Sequence, residues 1–301
     1  MATRTGFKLR LEPQDEYTHT PDAASNYNES MYFNVFDPVR KIGGWFRLGN
    51  RPNEGQAEMT TCLYLPDGRV AFMYGRPKIA DNNAMNAGGM RIDVITPFKK
   101  LKVSYDGKAC VLARPFDMAE PSRAFRENPS LDCKVSLDYE GVSPMYGGET
   151  VREDGKPIAI DPEKSFAKAH YEQHMAAKGT FTIGDETFQV EGFGLRDKSW
   201  GPRYWQAINW YRWCPMNFGR DFGMMLSIVA GTEGTPRQGG MVFKDGKYDL
   251  ITECAIDTDW DENWYQTALR AKVKTESGAR YDVSGKVLSL IPLRNRRKTP
   301  A

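Results

Sequence analysis

Two short stretches hold most of the side chains that could do chemistry. The first is His170-Tyr171-Glu172-Gln173-His174. Read as a strand, its two-residue period sends His170, Glu172 and His174 to one face and Tyr171 and Gln173 to the other. Glu172 bonded to a histidine would be an acid–base pair or an inert buried network. A buried carboxyl with a raised pKa could donate or take a proton. Two histidines around a carboxylate could also bind a metal. The chain has only three histidines, though, and the third, His19, lies far off in the N-terminal stretch, so no metal centre is expected.

The second stretch reads Gly194-Leu195-Arg196-Asp197-Lys198-Ser199-Trp200-Gly201-Pro202-Arg203-Tyr204-Trp205. The bland reading is an ion-paired strand end, with Asp197 bonded to Arg196 or Arg203. The functional reading is a pocket wall, where an aromatic floor meets a few polar groups that orient a ligand. The candidate catalytic residues are Asp197, Glu172, Lys198 and His174. The candidate substrate-binding residues are Trp200, Arg196, Arg203, Tyr32, Tyr204 and Tyr171. Tyr32 and Arg47 border a further aromatic segment, and Trp210-Tyr211-Arg212-Trp213 is a run of which half would be core if it is a strand. Gly194, Gly201 and Gly219 lack a βαβ context, and there is no Walker sequence, GxSxG or HExxH, so no cofactor is expected.

These residues need strands to hold them. Turn signals recur at Pro66-Asp67-Gly68, Asp106-Gly107, Asp154-Gly155, Gly184-Asp185, Asp245-Gly246 and Ser284-Gly285. Asp-Gly favours the positive-φ turns that join antiparallel strands. Hairpins are expected at 60–65/69–74, 101–105/108–112, 178–183/187–190 and 241–243/247–252. A three-strand meander is expected over 268–275, 280–283 and 287–290. Helix is limited to one short turn at 121–127, and 161–177 does not read as one long helix. Without strand–helix alternation, the chain is all-β and antiparallel rather than α/β. The Gly- and Pro-containing stretch 147–165 is the expected boundary between two halves, each the size of a small barrel or sandwich.

Composition narrows the functions. A chain of 301 residues can bury its core without staples. A formal charge of +2 excludes a polyanion binder driven by bulk charge. The basic tail 294–298 stands alone and reads as a solvated terminus, so no nucleic-acid partner is expected. Five dispersed cysteines with no CxxC pair read as reduced thiols, not as a disulfide scaffold or zinc site. No apolar stretch follows the basic residues of Met1–Arg10, and no run reaches the ~18 apolar residues of a transmembrane helix. A cytoplasmic protein with no membrane span is expected, and a homodimer is left open.

The block Glu172-Gln173, then Gly194-Leu195-Arg196-Asp197-Lys198-Ser199-Trp200-Gly201-Pro202-Arg203, resembles the AttH-like and carotenoid 1,2-hydratase superfamily. The stretches Tyr32-Phe33, Gly43-Gly44-Trp45-Phe46-Arg47-Leu48-Gly49 and Pro52-Asn53-Glu54-Gly55 resemble the opening of its first domain. The resemblance covers roughly residues 25–295. It implies two tandem lipocalin-like antiparallel β-barrel domains, 1–160 and 161–301. Carried over, the family's tryptophan falls on Trp200 and its aspartate on Asp197. Its histidine falls on Lys198, a departure that puts simple hydration by the same mechanism in doubt. A desolvated lysine could be a base or a Schiff-base nucleophile, or the side chain could simply face solvent.

The expected function is a cofactor-independent lyase, hydratase or isomerase. It would act by acid–base chemistry on a small, mostly apolar metabolite: a terpenoid, steroid-like, polyketide or aromatic compound. The alternative is a non-enzymatic carrier of an apolar small molecule, and a third reading is a structural protein with both interiors packed solid.

Overall fold

The computed structural model describes residues 6–161, 165–231 and 234–293, and the basic tail 294–298 lies outside them. The first strands are β1 (Phe7–Arg10), β2 (Tyr27–Asp37), β3 (Ile42–Arg51), β4 (Gln56–Tyr64), β5 (Val70–Gly75), β6 (Asn86–Ala87), β7 (Met90–Thr96) and β8 (Lys100–Leu112). The helix α1 (Pro121–Glu127) follows, then β9 (Ser130–Gly141), β10 (Tyr146–Arg152), β11 (Ala169–Ile183) and β12 (Glu186–Pro202). The last six are β13 (Trp210–Asn217), β14 (Phe222–Ala230), β15 (Arg237–Lys244), β16 (Lys247–Trp260), β17 (Gln266–Thr275) and β18 (Arg280–Lys286).

Eight strands close a ring in the order β2-β3-β4-β5-β8-β9-β11-β12, and β12 pairs back onto β2. Every pairing is antiparallel, which makes this an up-and-down, lipocalin-like barrel. Along the edge away from β12, strand β11 serves two partners: its second half pairs with β9, and its first half with β10, which carries β1 at the edge. Strands β13 to β18 form a second, six-stranded antiparallel meander. The division between the sheets falls at 203–209. Strands β11 and β12, which lie beyond the expected boundary at 160/161, complete the first barrel.

Alternation along the strands sorts side chains to two faces. Met31, Phe33 and Val35 of β2, Phe46 and Leu48 of β3, Val103 and Tyr105 of β8, Leu137 of β9 and Phe181 of β11 point inward and form one apolar core. The barrel interior is thus occupied by its own side chains. The segment 11–22 stops one end, where the buried Glu16 meets Arg196. On the outer wall, α1 covers an apolar patch with Cys62, Phe72, Cys110 and Leu112. The second sheet covers another outer patch, where Leu195 of β12 packs with Met225, Met241 and Trp213.

Most expected turns are present. Gly184 closes the β11–β12 hairpin with φ +56°, and Asp245 and Gly246 close β15–β16 with φ +49° and +80°. Two expectations need correction. Asp106-Gly107 is not a turn, because β8 runs straight through it to Leu112. Residues 287–290 do not form a third meander strand; β18 spans Arg280–Lys286 and contains Ser284-Gly285. All five cysteines are free thiols. No helix among the described residues is long and apolar enough to cross a membrane.

Candidate active site

One row of directly opposed residues crosses the outer wall of the barrel. Tyr146 of β10 faces Glu172 of β11, which faces Asp197 of β12, then Tyr32 of β2, then Arg47 of β3. Opposed residues share a face, so sequence positions far apart converge here. His170 and His174 flank Glu172 on the same face, two residues away in each direction.

The second sheet lies over this row. Trp213 of β13 donates its indole N–H to Glu172 Oε1 at 2.6 Å, and its ring meets the Tyr32 ring edge-on at 5.1 Å. Tyr32 in turn stacks against Trp45 at 6.0 Å. The Glu172 side chain is only 1% exposed, and its second oxygen, Oε2, is buried with no hydrogen-bond partner. Burial pushes the Glu172 carboxyl up to about 7, with His170 opposing and Asp197 adding to the rise.

His170 opens the site to solvent, with 42% of its side chain exposed. Its Nε2 hydrogen-bonds Asp197 Oδ2 and lies 3.9 Å from Glu172 Oε1. Burial pulls the imidazole down, but the Asp197 carboxylate more than offsets this and holds it at about 9. At neutral pH an imidazolium paired with a carboxylate therefore sits beside a carboxyl group near half-titration. That arrangement can exchange a proton with a bound molecule. Burial also raises the Tyr32 phenol, which stays neutral and accepts a hydrogen bond from Asn34 Nδ2 at 3.3 Å. The ligand atoms of His170, Glu172 and Asp197 lie within 4.8 Å of one another, so these three are also where a metal ion could be held. The imidazolium form of His170 has no free lone pair for one.

His174 shares the face but is sealed beneath the second sheet. It is 1% exposed, stacks on Phe243 at 5.5 Å and meets Tyr248 Oη at 3.4 Å through Nδ1. Burial lowers it to about 4, so it stays a neutral imidazole. Tyr248 Oη also bonds Ser143 Oγ at 2.5 Å, which makes His174 part of the joint between barrel and second sheet.

Four expected site residues turn out to face the other way. Arg196, Lys198 and Trp200 alternate with Asp197 along β12 and point into the end of the barrel, as does Tyr171 on β11. Arg196 forms a buried pair with Glu16, its Nη2 at 2.8 Å from Oε2, and Tyr171 Oη donates to the same carboxylate at 2.7 Å. Lys198 Nζ donates to Asp15 O and Tyr17 O at 2.7 Å and to Glu29 Oε1 at 2.9 Å. All three of its donors are used. It is neither a solvent-facing side chain nor a free nucleophile; it anchors the 11–22 segment. Trp200 stacks on His19 at 4.2 Å in the same plug. Arg203 stays on the outer face, 6% exposed, and Tyr204 is half-buried just beyond β12.

Sequence reasoning chose His174 over His170 as a catalytic candidate, and it named Trp213 and Trp45 only within aromatic segments. The alternation on 170–174 identified the shared face, but which histidine is open depends on how the second sheet lands. A surface groove of about 660 Å³, lined by Ile95, Leu101, Tyr139, Phe193 and Arg220, lies elsewhere.

A family model described as a domain of unknown function, DUF7064, matches residues 12–301. No curated protein sequence matches the chain. Among solved structures, the chain is similar to an AttH-type protein from Nitrosomonas europaea. That match has 12% identity, covers 88% of this chain and 81% of that one, and has a TM-score of 0.49. Kievitone hydratase from Nectria haematococca is similar at 8% identity over 84% of this chain and 74% of that one, with a TM-score of 0.49. CghA is similar at 12% identity over 92% and 82%, with a TM-score of 0.44.

Proposed function

We propose that this chain, which belongs to the DUF7064 family, is a cofactor-independent acid–base enzyme of the hydratase, dehydratase or isomerase type. Its substrate is a small molecule with an apolar or aromatic body. The observation that carries this reading is Glu172: a buried carboxyl near half-titration at neutral pH, with one oxygen unpartnered, under aromatic rings. A group tuned to the working pH is the most effective proton donor and acceptor.

In the hydration direction, protonated Glu172 gives its proton to one carbon of a double bond. Water adds to the other carbon and loses a proton, which restores the Glu172 carboxyl. The sum is addition of one water. Dehydration is the reverse, and isomerisation returns a substrate proton to Glu172 in place of a proton from water. The imidazolium of His170, held by Asp197, orients a polar group of the substrate. Tyr32, Trp45 and Trp213 form the wall, and their ring faces favour the positive charge that develops on protonation.

The barrel interior is filled by side chains, so a carrier would have to use the same outer face. The deciding experiment incubates the purified protein with a metabolite extract and follows masses. A gain or loss of one water, or conversion without mass change, supports the enzyme, and fragments would place it among the bond-cleaving lyases. A ligand that co-purifies and is returned unaltered contradicts the proposal and supports the carrier.

A further inference from the structure

We infer that an oxyanion-binding cradle lies beside Glu172, and that the substrate carries a carboxylate or comparable anionic group on its apolar body. The inference rests on the site proposed above and adds a substrate class to it. The ladder row next to Asp197–Tyr32–Arg47 is Ser199–Ser30–Gly49, and Gly201 faces Asn28 one row further on. This floor carries almost no side-chain volume.

Two guanidinium groups reach over it. Arg203 folds back so that Nη2 donates to Ser199 Oγ at 2.5 Å, with its plane over the Phe166 ring at 4.1 Å and near Trp205 at 5.3 Å. Its Nε is buried without a partner. Arg47 gives Nη1 to Glu58 Oε2 at 3.0 Å, while its Nη2 is buried without a partner. Asn28 is fully buried, and neither its Nδ2 nor its Oδ1 is bonded. A Cβ placed on Gly49 would lie 2.9 Å from Arg47 Nη2 and 3.1 Å from Asn28 Oδ1, so these groups converge over that glycine.

Buried donors are rarely left unmade, and an unsatisfied charged donor is more costly than a neutral one. Three such donors, two of them on cations, lie along one face: Arg47 and Asn28 meet over Gly49, and Arg203 reaches Ser199, two strands away in the same row. The nearby carboxylates are already engaged: Glu58 with Arg47 and Arg76, Asp197 with His170, and Glu54 with Arg51. Burial and then the Arg47 charge depress the Arg203 guanidinium to about 9, against the opposing pull of Asp197 and Glu58. An anion over this row would satisfy the two arginine donors, and Asn28 Nδ2 once its amide, whose oxygen lies toward Gly49, turns over; the aromatic rings around Arg203 and Tyr32 would hold the body attached to it.

The test titrates the full chain with trans-cinnamate, cinnamamide and inorganic phosphate by calorimetry at neutral pH. Cinnamate should bind at least about tenfold tighter than the isosteric amide, and added salt should erode that preference. Asn28→Asp and Arg203→Met should each abolish it. Should Arg203→Met fail to fold, Gly49→Ala, which fills the cradle on ordinary backbone, should abolish it instead. Saturable binding of phosphate alone would keep the cradle and assign it to a phosphoryl group. Equal affinity for acid and amide, no saturable binding of either anion, or a preference that survives in folded Asn28→Asp would overturn the cradle. Glu172→Gln should leave the preference intact while removing turnover, so failure of the cradle and failure of the proposed chemistry read out separately.

Discussion

Glu172 and Asp197 oppose each other directly on β11 and β12, yet their surroundings differ sharply. Asp197 is held by the half-exposed His170, whereas Glu172 is sealed under Trp213 with one oxygen left unpaired. Two carboxylates on one ladder rung thus sit in different environments, which in the proposed mechanism suit one to hold a cation and the other to move a proton.

Removing either carboxyl should stop the reaction without unfolding the chain. Glu172→Gln and Asp197→Asn are near-isosteric, and each is expected to cut turnover by at least about 100-fold, the usual contribution of a positioned acid or base. Circular dichroism should stay close to that of the parent. Full activity in both variants would refute the acid–base assignment.

Trp213 is expected to tune Glu172. Its indole N–H favours the carboxylate form, so Trp213→Phe should raise the Glu172 pKa further. The alkaline limb of the pH–rate profile should move to higher pH while the protein stays folded. An unmoved or acid-shifted limb would mean that Glu172 does not control that limb.

The same carboxyl couples stability to pH. Its folded pKa of about 7 exceeds the ordinary 4.5, so the folded state holds the proton more tightly. Stability from this group is therefore full below pH 4.5 and is lost as pH rises to about 7, a change of about 3 kcal/mol at most. Denaturant titrations should show Glu172→Gln gaining on the parent across that window and levelling off above it. A constant difference would show that Glu172 is not raised.

Lys198 is expected to matter for folding and not for chemistry. Lys198→Met leaves Glu29 buried without its cation, and breaking such a pair costs about 3–5 kcal/mol. The melting temperature should fall clearly, while kcat below that temperature stays within a small factor of the parent. Loss of kcat in a protein that is still folded would return Lys198 to the active site.

How much of this was legible depended on whether neighbours in sequence or neighbours in space decide the outcome. The period of 170–174 is local, so the shared face of His170, Glu172 and His174 could be read directly. The same period separates Lys198 from Asp197. What hid its role was that both faces of β12 are buried, so polarity did not mark which one carries the chemistry. The partner of Arg196 is Glu16, 180 residues away, and no local signal connects them. Asp106-Gly107 has turn composition, but Gly107 is needed for another reason. A Cβ there would sit 2.6 Å from the Tyr105 hydroxyl, which folds over the glycine within a continuous strand. The expected boundary at 147–165 is rich in turn residues, yet the barrel needs β11 and β12 to close.

The most direct test of the account is the titration of Glu172 itself. Carboxyl carbon-13 shifts of glutamate-labelled protein, assigned by comparison with Glu172→Gln, should show one glutamate with a midpoint near 7, coinciding with the alkaline limb of turnover. A Glu172 midpoint near the ordinary 4.5 would contradict it, because the proposed proton donor would then be ionised throughout the neutral range.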